Sequence, residues 1–398
     1  MKHYDFVIVG GGLAGLSLAC HLIDSPLRER SILIVDKDAK DKNDRTWSFW
    51  TRWPTLFDSI VHRSWNRLHL AGENFDQIID LGDYRYQMIR GIDFYRFARQ
   101  TLSAHPNVEF LQARVEQIED DAGEARIVAN GQPFAGKWVF DSRFKPPELK
   151  PDPTRYHTLN LHFKGWEIEA PEPAFNPQAA TFLDFRTPQK GDTRFFYVLP
   201  LSKQRALVEY TLFSAELLKR DEYERALKDY LENVLQVGDY RVLSEEKGII
   251  PITDQPFPRR AGRHVMTIGA KGGRIKPTTG FAFLRIQQDS AAIVDSLLRT
   301  GQPFDIPADS ARYRLYDSLM LQIMLRRGAQ VQQLFTLLFK NNPIERVLRF
   351  LDEAGSVWEN LQLIPTLPPA PFLEALFRLK VLRQMSPNSI DIRDARTA

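Results

Sequence analysis

DFVIVGGGLAGLSLACHLI, residues 5–23, decides the fold. Its first five residues read as a buried strand, and the stretch from Gly15 to Ile23 reads as the helix that follows. Between them Gly10-Gly11-Gly12-Leu13-Ala14-Gly15 supplies the G-x-G-x-x-G spacing. Gly10 allows the tight turn, Gly12 lets a pyrophosphate approach the backbone, and Gly15 lets helix and strand pack closely. The helix N-terminus then offers free N–H groups and a partial positive charge to the phosphates. The next apolar run, SILIVD at 31–36, ends in Asp36, 21 residues after Gly15, with Lys37 behind it. An acidic side chain there accepts from a ribose hydroxyl. A right-handed crossover makes the two strands parallel neighbours, so this is a βαβ unit that binds a dinucleotide.

The same region contains 18 nearly uncharged residues, 6–23, long enough to be taken for a signal peptide or a membrane span. Four glycines, with Asp5 in front and His21 inside, argue against both. No other stretch is apolar enough to span a bilayer.

A chain of 398 residues exceeds one ordinary core and points to two or three subdomains. An apolar fraction of 43% and a charged fraction of 26% are those of a globular protein. The 53 Lys and Arg are scattered among 50 Asp and Glu, so no basic tract marks a nucleic-acid partner. A net charge of +3 leaves open a weak attraction to an anionic membrane surface. The single cysteine, Cys20, excludes an internal disulfide framework and fits a reducing compartment. The eight histidines lack metal-ligand spacing and no Ser–His–Asp arrangement is legible, so neither a metal nor acyl transfer is expected.

Residues 1–150 read as the first part of the dinucleotide domain, with an inserted, substrate-facing segment near 43–90. Asp93 is expected to cap a helix over 93–102, and VEFLQ (108–112), ARIVAN (125–130) and KWVFDS (137–142) read as strands. KPPELKPDP (145–153) marks a crossing between subdomains. Alternation in RFFYVLP and ALVEYT makes 151–255 a mainly antiparallel sheet, with an amphipathic helix within it near 221–234. The chain returns to the dinucleotide domain over 256–300, through a core strand at 264–269 and a second glycine-rich turn, Gly269 to Phe281. A long helix is expected from about 279 to 298, with Thr279 or Gly280 at its start, and 301–398 is helical. An N-terminal fingerprint with a second glycine-rich turn favours FAD over NAD. By spacing alone, a plain strand–helix loop accounts for that second turn equally well.

Nine local sequences, in order over most of the first 300 residues, resemble the flavin-dependent lycopene cyclase family in its bacterial form. They are DFVIVGGGLAGLSLA, NDRTWSFW (43–50), YQMIRG (86–91), LHFKGWEIE (161–169), ATFLDFR (180–186), FFYVLPLS (195–202), ALVEYT (206–211), GIIPIT (248–253) and KPTTGFAF (276–283). The resemblance implies an α/β, two-dinucleotide-fold flavoprotein with a Rossmann-like FAD domain, an antiparallel-sheet substrate subdomain and a helical C-terminal part. It implies proton-driven closure of the acyclic ends of lycopene, needing reduced FAD without net redox change, and NADPH or NADH as reductant. Flavin hydroxylases carry a Gly-Asp pair where this chain has Gly269-Ala270, which weakens a hydroxylase reading.

Such chemistry requires a carboxyl group still protonated near neutral pH, which burial produces. Glu209 sits among the alternating apolar residues of ALVEYT, and the family carries its essential glutamate there. Alternation alone also permits an outward-facing glutamate. Asp184 ranks second as acid, or forms a supporting ion pair with Arg186. Trp47, Trp50, Phe195, Phe196, Tyr197 and Phe281 are candidate aromatic walls for a carbocation, although aromatic clusters usually pack cores. Arg45 and Arg90 are candidate contacts to the flavin or its phosphates, with a surface role as the alternative. A water-insoluble substrate implies a cytoplasmic protein peripheral to the membrane, met by 331–339 and 372–382 with flanking Lys340, Arg378, Lys380 and Arg383. Helices that merely cover the core are the alternative. Two further readings stay open: a related prenyl reductase or monooxygenase, and a carotenoid-binding protein with structural FAD.

Overall fold

The computed structural model describes residues 1–121, 123–145 and 149–385, with side chains as far as residue 379. The expected crossing at 145–153 therefore lies partly outside the described residues.

The strand Lys2–Val9 is central to a seven-stranded sheet, where its last four residues are buried. It pairs in parallel with Ile32–Asp36 on one side and Gln132–Asp141 on the other. Val108–Gln112 extends the parallel run beyond Ile32–Asp36, and Val265–Thr267 adds to it beside Gln132–Asp141. The hairpin strands Ala125–Ala129 and Val115–Asp120 complete the sheet antiparallel. On this sheet Leu13–Ile23 packs beside Phe283–Thr300 and Gly91–Ser103, with Leu16, Leu18 and Leu22 buried. Each such side chain contributes about 1.5–3 kcal/mol by leaving water.

A second seven-stranded sheet runs in the order Arg241–Thr253, Thr158–Glu169, Arg205–Ser214, Thr193–Pro200, Ala180–Asp184, Arg67–Gly72 and Phe75–Asp80. It is antiparallel except where Ala180–Asp184 meets Arg67–Gly72. The segment 67–80 joins this sheet because Leu68, Leu70 and Ala71 bury against its core. A third sheet of Thr46–Thr51, Arg85–Arg90 and Arg63–Trp65 covers one face of it, through Trp50, Trp65, Tyr86 and Met88. The opposite face carries the helix Arg220–Asp229 and the wider turn Tyr230–Val234.

Two helix boundaries differ from expectation. Asp93 is not a cap: the helix begins at Gly91, and Asp93 in its first turn pairs with Arg90 at 2.6 Å. The long helix starts at Phe283 and not at Thr279 or Gly280, because 276–281 closes on itself, with Gly280 N donating to Lys276 O at 2.8 Å.

The C-terminal helices are Ala311–Arg327, Val331–Lys340, Ile344–Leu351, Val357–Leu363 and Pro369–Met385. Val331, Leu334, Phe335, Leu338 and Phe339 are buried in the core of the second sheet, so the segment 331–339 packs inward and offers no interfacial face. Among the described residues, no helix is long and apolar enough to cross a membrane.

Candidate active site

The fingerprint forms an anion cradle. Gly10 takes a φ of +107° and donates to Val35 O at 2.8 Å, which ties the turn to the neighbouring strand. A Cβ on Gly15 would lie 1.9 Å from Gly10 O, so helix and turn touch there. A Cβ on Gly12 would meet nothing within 4 Å. That open space faces a helix start with no side-chain cap and no acid in its first turn. Unclaimed N–H groups beside an empty hollow suit a pyrophosphate. Asp36 is held at the rim, accepting from Gly11 N at 2.6 Å and from Asp38 N at 2.8 Å, with Lys37 exposed beside it.

The second glycine-rich turn reaches the same place. Gly269 lies against Ala14, and Gly280 lies against Leu161 of the second sheet, where an added Cβ would come within 2.0 Å of Leu161 Cδ2. A cluster that the sequence reading passed over sits at its entry. Asp141, buried at the end of Gln132–Asp141, accepts from Arg143 Nε at 2.9 Å and from Lys271 Nζ. Burial would raise its carboxyl, yet the hydrogen bonds and charges of Arg143 and Lys271 hold it below the usual carboxylate range. Its signal was legible: an aspartate ending a core strand in KWVFDS, the counterpart of Asp36.

Arg45 and Arg90 meet at one end of the small sheet, where Gly91 N donates to Arg45 O at 2.7 Å. Each has a carboxylate of its own: Asp44 at 3.0 Å for Arg45 and Asp93 at 2.6 Å for Arg90.

The candidate acid, Glu209, lies one sheet away. Across four adjacent strands the register aligns Tyr197, Glu209, Gly165 and Glu246 in one row. Directly opposed residues share a face, so Tyr197, Glu209 and Glu246 project to the same side. That side is the one covered by the small sheet and the C-terminal helices. Burial pushes the Glu209 carboxyl well above the usual carboxylate range; the charge of Glu246 adds to it, and the Thr211 hydroxyl, 2.8 Å from Oε1, opposes it. Glu209, Tyr197 and Glu246 nevertheless keep part of their surface accessible.

A cluster of aromatic rings packs on this same side of the sheet. Phe182 is the hub, 5.8 Å from Trp50, 5.6 Å from Tyr86, 5.9 Å from Tyr197 and 6.1 Å from Phe281 between ring centroids. Phe195 adjoins Tyr197 at 5.2 Å. Phe281 follows Gly280 directly, so the aromatic cluster reaches the second glycine-rich turn. Leu161, under that turn, lies four residues from Gly165, roughly 13 Å along the strand.

Three expected residues stand elsewhere. Asp184 and Phe196 share a register position on the opposite face of the sheet. There Asp184 accepts from Arg186 Nη2 and from the Tyr230 hydroxyl, each at 2.6 Å, and Phe196 stacks on Tyr230 at 3.8 Å. Asp184 is thus the supporting ion pair and is separated from Glu209 by the sheet itself. Trp47 packs edge-on against Phe94 and Tyr95 in the core of the first sheet, away from the Phe182 cluster. Glu246, Tyr86 and Phe182 were missed. Period-two alternation places Glu246 in line with Ile250 and Ile252, both part of the core face, but the charged run EEK obscured it.

The fold is that of FAD-dependent enzymes solved previously. A geranylgeranyl bacteriochlorophyll reductase-like protein from Thermoplasma acidophilum superposes with a TM-score of 0.60 at 14% identity, covering 96% of this chain and 100% of that one. The flavin-dependent brominase Bmp2 gives 0.63 at 14% identity, over 96% and 100% of the two chains. Klebsiella pneumoniae HpxO, solved with FAD and uric acid, gives 0.60 at 14% identity over 89% and 96%. By sequence, lycopene beta-cyclase of Paracoccus sp. is 28% identical over 94% of this chain and 96% of its own length. That of Pantoea ananas is 23% identical over 94% and 97%. A chloroplastic neoxanthin synthase of Solanum tuberosum is 23% identical over 79% of this chain, and the match spans 65% of the plant protein's length. The family model described as lycopene cyclase protein matches residues 5–377. Matched from the dinucleotide fingerprint to the last helix, this chain belongs to the lycopene cyclase family.

Proposed function

We propose that the protein cyclises the acyclic ends of lycopene to β-rings, giving β-carotene by way of γ-carotene, with Glu209 as the proton donor. The observation that carries this reading is the placement of Glu209, whose carboxyl burial pushes well above the usual range, beside an aromatic cluster that would wall the substrate chamber. Its O–H bond breaks as a C–H bond forms at a terminal alkene carbon. The next double bond closes on the resulting cation, and loss of a neighbouring proton leaves the ring alkene. No electrons leave the substrate. Trp50, Phe182, Tyr197 and Phe281 offer π faces to the cation, which strengthens where water is excluded.

The cradle at Gly10–Gly15, with Asp36 at its rim and Thr279, Gly280 and Phe281 at the second turn, would hold FAD. Bound in its reduced form, with NADPH or NADH as reductant, FAD would supply negative charge near the cation. Arg45 and Arg90 would serve that end of the site by exchanging their carboxylate partners for phosphate.

The substrate enters from a bilayer. Val357, Trp358, Leu361, Leu373 and Phe377 are each more than half exposed along the last two helices, beside Arg378. Such an apolar fringe suits docking at a membrane surface, from which lycopene reaches the chamber. Of the flanking cations expected there, Lys380 and Arg383 have side chains outside the described residues.

The test is anaerobic incubation of purified protein with FAD, NADPH and lycopene in liposomes, followed by product mass and absorption. Ring-containing product of unchanged mass is expected. A product differing by two hydrogens would transfer the chain to the prenyl reductases. Flavin reduction with no product would leave a carotenoid-binding protein.

A further inference from the structure

Glu246 has no part in the reading above, yet the sheet aims it at Glu209. The two residues occupy positions opposite Gly165 on its two neighbouring strands. An ordinary side chain at 165 would stand between them. A Cβ there would lie 3.2 Å from Glu246 Cγ and 3.5 Å from Glu209 Cβ. Glycine removes that partition and leaves the two carboxyl side chains facing each other across it. Two like charges buried side by side disfavour each other, so one of the pair holds a proton. The far side of Glu246 is pinned by Thr46, whose hydroxyl donates to Oε2 at 2.8 Å.

We propose that Glu246 is the positioning partner of Glu209: its carboxylate, fixed by Thr46, accepts the Glu209 hydroxyl across Gly165 and keeps the transferable proton on Glu209. This rests on Glu209 being the acid. Delivery to the alkene breaks the Glu209 O–H bond and leaves two carboxylates side by side, a repulsion relieved by the new cation. Loss of the ring proton returns one proton to the pair and re-forms the O–H bond. The cycle needs no oxidant, reductant or net proton.

The surroundings leave the pair few other charges. Tyr86 and Tyr197 face Glu209, and burial pushes both hydroxyls above the usual tyrosine range. Glu167 and Asp44 face Glu246, but each has a cationic partner, Arg205 and Arg45 respectively. Each cation offsets its acid, so Glu246 is the dominant neighbouring charge on Glu209.

Glu246→Gln keeps the shape and removes the charge. A lost negative neighbour lets Glu209 ionise more readily, so the alkaline limb of the kcat profile should move down by about one pH unit or more. Turnover on that limb should fall about tenfold while turnover on the acid side is kept. Gly165→Ala, which wedges the pair apart, should shift the limb the same way. Infrared titration of the protonated carboxyl band, identified by its absence from Glu209→Gln, should show the same displacement without any turnover. A Glu246→Gln protein with an unmoved limb and an unmoved band, or with turnover lowered evenly at all pH, would overturn the inference. If the wild-type protein forms no ring product, the cyclase reading fails instead, and the infrared titration still decides whether the pair exists.

Discussion

Ala14 and Gly269, 255 residues apart in the chain, are in contact: a Cβ on Gly269 would come within 2.5 Å of Ala14 Cβ. Gly269 takes a φ of +62°, open to few other residues. The first and second glycine-rich turns are therefore two sides of one cradle, and the glycines in it have separable duties.

Gly12 and Gly15 should part those duties cleanly. Gly12 has a φ of −88° that any residue adopts, and open space where its Cβ would be. Gly12→Val should fold with an unchanged melting temperature and lose flavin binding, as read by flavin fluorescence quenching. Gly15→Val should instead melt early, because its side chain collides with Gly10 O and Ile8. A Gly12→Val protein that still holds FAD would remove the cradle from the site.

Glu209→Gln should trade activity for stability. Loss of the acid is expected to lower cyclisation about a hundredfold or more. The folded chain raises the Glu209 carboxyl above its ordinary value of 4.5. The stability conferred by the neutral form is therefore complete below that value and is lost as pH rises towards the folded one. Glutamine does not titrate. The variant should match wild type near pH 4.5 and exceed it increasingly towards pH 8 in denaturant melts. A stability difference that shrinks with rising pH would show that Glu209 is ionised in the fold.

Asp184→Asn should do the reverse. Its carboxylate is fully buried and holds Arg186 and the Tyr230 hydroxyl on the face away from the chamber. Removing the charge leaves Arg186 short of its partner, at a cost of about 3 kcal/mol. Urea unfolding should register that loss while kcat in the surviving folded protein stays within about twofold. A kcat lower by a hundredfold with unchanged stability would restore Asp184 as an acid.

What the sequence disclosed and withheld follows from range. The fingerprint, the strand ending at Asp36 and the alternation around Glu209 are local patterns, each legible within about twenty residues. The pairing of Glu209 with Glu246 depends on a third strand, and nothing near Glu246 signals that Gly165 will sit opposite it. The two faces of one strand posed a similar problem. Phe196 and Tyr197 look alike as wall residues, but only the register with Asp184 and Glu209 shows that they point to opposite sides. The burial of 331–339 was also tertiary, since an amphipathic helix suits a protein core as well as a membrane surface.

That last ambiguity leaves the membrane question to the final two helices. Trp358 and Phe377 are 68% and 69% exposed, which is costly in water unless something covers them. Inserted at an interface, each would contribute about 1.5 kcal/mol, so replacing both with serine should weaken vesicle binding at least tenfold. Neither residue belongs to the chamber, so cyclisation of lycopene dissolved in detergent micelles should be unaffected. Cyclisation from liposomes should fall in step with co-sedimentation. Equal loss in micelles and liposomes would mean that the two side chains support the fold, and unchanged sedimentation would mean that the chain meets the bilayer by another surface.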